Sequence, residues 1–243
     1  MATVGSSLAS AKAAIFDIGA TLVEGPPIAP NKVIASLVDG TSADEVAGII
    51  MTRALACADE VCKALEEKVG KLSEGARLSI KRLWESQSYA AKEIAGATET
   101  VLAVKRRGVR IGLLSDIWKP YYLSVERALP RVIQAVDAEV LSFKSGTRKP
   151  CYDNFLQIIA KLGIKPEEAV MIGDTYTHDI LPAIEIGMRT VWVLTRPERE
   201  AESIISVLNN SSLAPTFTVS NITEVAELPL WPVAPSQVAF ASK

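Results

Sequence analysis

Several things are scarce in this sequence, and each scarcity removes a class of function. Long apolar runs are missing: nothing approaches the roughly 20 residues that a membrane span needs, and residues 1–10, a small polar lead rich in Ser, Ala and Gly, lack the apolar core of a secretion signal. The expectation is a cytoplasmic protein with no membrane partner. Cysteine is nearly absent. Cys57, Cys62 and Cys151 are an odd count with no CxxC pair, which leaves neither a disulfide framework nor a zinc site. That usage suits a reducing compartment, with Cys57 and Cys62 read as small buried hydrophobes in a helical stretch. Excess charge of one sign is also lacking, because 26 Lys and Arg face 28 Asp and Glu. There is no basic footprint for nucleic acid. Histidine occurs once, at His178, which could serve as an acid/base group but reads first as a surface or loop residue without a role.

What is present is a chain of 243 residues, 49% hydrophobic, long enough for one α/β domain with an accessory lobe. An apolar run from Ala13 to Phe16 stops at Asp17 and is followed by a Gly25-Pro26-Pro27 breaker, the pattern of a strand and its exit loop. From about Pro30 to Lys92 the pattern becomes helical, in stretches such as Ala43 to Val69 and Ser73 to Ile94. Beyond that, strand and helix alternate. Strands are expected at Val109–Leu114, Ala138–Ser142, Glu168–Ile172, Thr190–Leu194 and Thr216–Val219. Helices are expected at Thr98–Arg107, Tyr121–Leu129, Tyr152–Leu162, from Asp174 to about Ile186, and around Glu200–Leu208. Strands separated by helices of ten or more residues imply right-handed βαβ units, hence an α/β fold with a three-layer, doubly wound parallel sheet. The expected organisation is a core of residues 11–24 and 96–228, a small helical domain of residues 25–95, and flexible termini at 1–10 and 229–243.

Three of these strands end in polar residues: Asp17, Ser115 with Asp116, and Asp174. In an open parallel sheet the carboxyl ends of the strands form the ligand crevice, so the three sets should converge there. Trp118 and Tyr121, just beyond, are placed to wall a pocket.

The neighbours of those residues resemble the haloacid dehalogenase-like superfamily. Phe16 to Leu22 (FDIGATL) is similar to its first motif, Leu113 to Asp116 (LLSD) to its second, Arg148-Lys149-Pro150 to its third, and Gly173 to Asp179 (GDTYTHD) to its fourth. The resemblance runs from about Ala13 to Leu194 and casts the helical insert as a C1-type cap. It implies Asp17 as a nucleophile that forms a covalent intermediate. It implies Mg²⁺ held by Asp17, the backbone carbonyl of Gly19, Asp174 and Asp179. Ser115 and Lys149 would hold a phosphoryl group, with Thr21, Asp116 and Trp118 around a small-molecule substrate, in a monomer or a homodimer. One departure matters. The family's phosphatases carry a second aspartate two residues after the nucleophile, and here that position is Gly19; Ala20 also replaces a usual glycine. The implied activity is a phosphatase on a small phosphorylated metabolite whose proton transfer is served from elsewhere, Glu24 being one candidate. The alternatives are carbon-directed chemistry of dehalogenase or phosphonatase type, or a binding protein without turnover.

Overall fold

The computed structural model describes residues 10–233. The remaining residues of both expected flexible termini, 1–9 and 234–243, lie outside the described residues. At the centre is β1 (Ala13–Phe16), with β4 (Arg110–Ser115) on one side and β6 (Ala169–Gly173) on the other. The sheet continues through β5 (Ala138–Leu141) at one edge and through β7 (Arg189–Val193) and β8 (Phe217–Val219) at the other, giving the order β5-β4-β1-β6-β7-β8 with every pairing parallel. Parallel strands of this kind are covered on both faces, which is why they read as unbroken apolar runs.

Alternate side chains of the strands enter two different cores. Ala14 and Phe16 of β1, Ile111 and Leu113 of β4, and Val170 and Ile172 of β6 pack on one face with Ala97, Val101 and Val104 of α5 (Ala97–Arg106) and Tyr122 and Val125 of α6 (Lys119–Ala128). Ala13, Ile15, Leu114 and Met171 face the other way, onto Phe155, Ile158, Ile159 and Leu162 of α9 (Tyr152–Leu162). Those four α9 residues recur at helical spacing, and Gly163 ends the helix at φ 60°, a left-handed position that glycine takes without strain. Gly112 lets α9 approach the sheet: a methyl group there would stand 3.1 Å from Ile15 and 3.2 Å from Leu162.

Between β1 and α5 lie α1 (Pro30–Ala35), α2 (Ala43–Ile50), α3 (Ala58–Val69) and α4 (Glu74–Gln87). They are bracketed by a two-stranded antiparallel ribbon, β2 (Val23–Glu24) with β3 (Lys92–Glu93). Helix α2 begins with a capping box in which Ser42 and Glu45 satisfy each other's backbone donors. The stretch expected to be helical from Ala43 to Val69 is interrupted at 51–57, and Cys57, expected to be buried, is exposed there while Cys62 is buried.

Two short helices, α7 (Pro130–Ala135) and α8 (Ser142–Ser145), were not foreseen. A π-helical turn at Tyr176–Ile180 precedes α10 (Leu181–Glu185), where one longer helix was expected. After β7 comes α11 (Ala201–Leu208). The tail corrects an expectation: Leu230 and Trp231 are buried, the Trp231 indole N–H donates to Val225 O at 2.7 Å, and the Leu230 carbonyl accepts the Ala11 N–H at 2.8 Å. Among the described residues no helix is long and apolar enough to cross a membrane.

Candidate active site

The chain runs outward from β1 to one edge of the sheet through β4 and β5, then returns beside β1 as β6 and continues to the other edge. The order therefore reverses around β1, and the crevice at such a point collects the ends of β1, β4 and β6. Asp17 follows β1, Ser115 closes β4 and Asp174 follows β6. The Asp17 N–H donates to Ile172 O at 2.8 Å, so Asp17 is tied to the neighbouring strand.

Lys149 reaches this centre from the loop between α8 and α9, where its bond to Pro150 is cis. Its ammonium donates to Asp17 Oδ1 at 2.7 Å, Asp179 Oδ1 at 2.5 Å and Leu114 O at 3.3 Å. The side chain is 4% exposed. Burial alone would pull such an ammonium toward neutrality, but Asp17, Asp179 and Asp116 outweigh it and hold Lys149 above its ordinary range.

Asp179 sits in the π-helical turn, and its Oδ2 accepts the Thr175 N–H at 3.0 Å. Gly173 makes room for it: a methyl group on Gly173 would lie 2.5 Å from Asp179 Cγ. Asp174 receives the Arg196 guanidinium on Oδ2 and the Trp192 indole N–H on its backbone carbonyl at 3.0 Å. One oxygen from each of Asp17, Asp174 and Asp179 can be chosen so that all lie within 4.8 Å of one another.

Burial pushes Asp179 up to about 7 and also raises Asp174, with Asp17 repelling both. The site is also unbalanced in charge. Four carboxylates, Asp17, Asp116, Asp174 and Asp179, face two cations, Lys149 and Arg196. A divalent cation would cancel the remainder, and an all-oxygen donor set suits a hard ion such as Mg²⁺. The residues therefore fit the metal that the motifs imply.

Other expected residues fall into place differently. Ser115 is buried, and its hydroxyl makes no hydrogen bond among the described residues. Thr21, expected at the substrate, is fully buried instead, its hydroxyl turned to Asp17 Oδ2 at a long 3.5 Å. Trp118 and Tyr121 line a cavity of about 620 Å³ between the helical insert and the strand ends, along with Asp116, Gln87, Arg196 and the segment from Gly25 to Pro30. Trp118 also pins the insert, through an edge-on contact with Trp84 at 5.5 Å and an indole N–H donated to Gln87 at 3.4 Å. Gly19 has open space around it, with no atom within 4 Å of an added Cβ. Glu24 is exposed, in a neighbouring groove with Ala20 and Arg196, and His178 is exposed with its ring nitrogen 3.1 Å from Thr177.

Arg196 is the residue that sequence reasoning missed. It follows β7 at the same carboxyl edge as Asp17 and Asp174, so the strand-end argument that singled those out applies equally to it.

Comparison with known proteins agrees with this fold. The HAD-hydrolase-like family model matches residues 146–225. A glyceraldehyde 3-phosphate phosphatase of Pyrococcus furiosus is 32% identical over 103 residues, a match that covers 42% of this chain and 42% of the relative, so the chain spans under half the length of that relative. Among solved structures, a HAD family enzyme of Bacteroides thetaiotaomicron in complex with magnesium and inorganic phosphate has a TM-score of 0.58 at 19% identity, covering 76% of this chain and 94% of that one. L-2-haloacid dehalogenase of Xanthobacter autotrophicus has a TM-score of 0.55 at 16% identity, covering 90% and 98%. These matches tie residues 146–225 to the HAD-hydrolase-like family, and the fold of the whole is the one that HAD-family enzymes and haloacid dehalogenase share.

Proposed function

We propose that this protein is a Mg²⁺-dependent phosphatase that cleaves a small phosphorylated metabolite through an aspartyl-phosphate on Asp17. The fold is shared by phosphatases and dehalogenases, so the fold does not choose between them. The observation that carries the reading is the buried cluster of Asp17, Asp174 and Asp179 around Lys149, with carboxylate oxygens within 4.8 Å of one another. A carbon-directed displacement by Asp17 has no use for the second and third carboxylates.

In this reading Asp17, the Gly19 carbonyl, Asp174 and Asp179 hold the metal, which supplies charge neutralisation for a phosphoryl group brought against a carboxylate nucleophile. Lys149 orients Asp17 and offers its ammonium to a phosphoryl oxygen. Ser115, whose hydroxyl has no partner among the described residues, donates to another. Residues 25–95 act as a cap over the 620 Å³ cavity, and Trp118, Tyr121 and Gln87 at their border with the core exclude water and contact the leaving group. A cavity of that size takes a small metabolite, in keeping with the sugar phosphate in the name of the Pyrococcus relative.

The test is Mg²⁺-dependent release of p-nitrophenol from its phosphate ester, with wild type beside Asp17→Asn. Turnover that disappears with chelator and in Asp17→Asn is expected. Turnover indifferent to both would remove the proposal.

A further inference from the structure

The phosphatase reading leaves one role unfilled, because Gly19 carries no group to move a proton to the leaving oxygen. Resting on that reading, we propose that Asp116 fills the role as general acid and then general base. In the first step an Asp17 oxygen bonds to phosphorus, the bond from phosphorus to the ester oxygen breaks, and the Asp116 carboxyl gives its proton to that oxygen, releasing an alcohol. In the second, water attacks phosphorus, the bond to Asp17 breaks, and the Asp116 carboxylate takes the water's proton, releasing inorganic phosphate. Protons and charges balance over the two steps, and no further reactant is needed.

Placement carries the argument. Strands β1 and β4 pair in parallel with Phe16 beside Leu113, so Asp17 beyond one and Ser115 with Asp116 at the end of the other leave the sheet at the same carboxyl edge. Lys149 ties the two carboxylates together: its backbone N–H donates to Asp116 Oδ1 at 2.9 Å, while its ammonium holds Asp17 at 2.7 Å. The second Asp116 oxygen makes no hydrogen bond among the described residues and is the one free to meet a substrate. Among the described residues Asp116 is also the only carboxylate lining the 620 Å³ cavity where a leaving group would sit. Glu24 lines the neighbouring groove instead.

Burial raises the Asp116 carboxyl above its usual range, with Asp17 pushing the same way and Lys149 and His178 pulling against them. A proton donor gains from such a shift, since more of the acid form survives toward neutral pH. The other charged or titratable groups that share its cavity are Arg196, Arg199, Lys32 and Tyr121.

The experiment compares p-nitrophenyl phosphate, whose leaving group needs little protonation, with a simple alkyl phosphate, whose leaving group needs it. Wild type, Asp116→Asn, Gly19→Asp, the double variant and Glu24→Gln are assayed with Mg²⁺. Asparagine keeps the oxygen that accepts the Lys149 N–H, and circular dichroism checks that the variant is folded. Asp116→Asn should lower kcat on the alkyl ester by roughly 10²- to 10⁴-fold, the scale of general acid catalysis, and by at least about tenfold more than on the nitrophenyl ester. The fall of kcat/KM with rising pH that reports the acid form should vanish in the same variant. With the nitrophenyl ester, Asp116→Asn should accumulate protein heavier by one phosphoryl group in intact-mass measurement, because the second step is slowed. Gly19→Asp should restore alkyl turnover in the double variant, since open space surrounds that position. Equal losses on both esters, no loss, or a leaving-group-selective loss in Glu24→Gln would overturn the assignment. Wild type inert toward both esters, with no covalent phosphoenzyme, would instead overturn the phosphatase reading and Asp116 with it.

Discussion

Replacing Lys149 with methionine isolates what the buried charge cluster costs the fold. The two side chains are similar in length, so the change removes charge more than volume. In the native chain one ammonium serves Asp17 at 2.7 Å and Asp179 at 2.5 Å, and all three side chains are under 9% exposed. Removing one member of a buried ion pair leaves an uncompensated charge and costs roughly 3–5 kcal/mol. Here two carboxylates lose their cation together, so Lys149→Met should fall at the upper end of that range when unfolded with urea at pH 8 in chelator. The loss should shrink as pH falls. Asp179 already stands near 7 in the folded chain against an ordinary value of 3.8. A carboxyl raised by folding stabilises the fold fully below its unfolded value and loses that contribution as pH rises through its folded value, here between about 4 and 7. Urea midpoints measured at pH 5 and pH 8 should therefore diverge, more steeply in Lys149→Met than in wild type. Saturating Mg²⁺ at pH 8 should return part of the lost stability, by mass action on the native state. A loss under about 1 kcal/mol at pH 8, set against the range expected for a broken buried pair, would show that the cluster is solvated and the electrostatic argument wrong.

Three further outcomes follow from local geometry. Gly173→Ala would bring a methyl group to 2.5 Å from Asp179 Cγ; denaturation should show a loss of roughly 1–3 kcal/mol from overpacking, and calorimetric titration a weakened Mg²⁺ affinity. Ala20 has φ 57°, a left-handed backbone that costs a non-glycine residue roughly 1–2 kcal/mol. Ala20→Gly relieves this but restores unfolded-state freedom worth about 0.4–1 kcal/mol, so the urea midpoint should stay level or rise slightly, and a clear fall would refute the strain. Trp231→Ala removes a side chain 5% exposed whose indole N–H is bonded to Val225 O. It should cost roughly 3–5 kcal/mol in urea unfolding, whereas a loose tail would make it neutral.

Much of the fold was legible because its elements announce themselves locally. Strand β1 and helix α9 lie where their apolar patterns place them, the latter closed by Gly163. What the pattern hid depends on distant partners or on single turns. Strand β2 pairs Val23 with Glu93, some seventy residues along, and two-residue strands carry no period to detect. The break at 51–57 interrupts a composition that stays helix-like, and α7 and α8 are too short to show a repeat. The tail misleads for another reason: its prolines suggest a loose end, yet Leu230 and Trp231 are anchored by contacts that only the folded chain supplies. At the site, Asp17, Lys149, Asp174 and Asp179 were visible through motif and strand-end position. Arg196 obeyed the same strand-end rule and was passed over because nothing around it formed a recognisable motif.

Glycine at position 19, where the family resemblance implies a second aspartate, invites the thought of a retired scaffold, and the charge count argues against it. Four buried or half-buried carboxylates facing two cations weaken the fold, and apolar residues in such positions are often as stable or more so. A chain with no need of the cluster could relieve that cost by single substitutions at Asp174 or Asp179 without touching the sheet. Keeping the excess negative charge is physically intelligible if a divalent cation completes it. On this view Gly19 marks a proton-transfer role relocated along the crevice, from the exit of β1 to the exit of β4, where Asp116 lines the cavity beneath the helical insert.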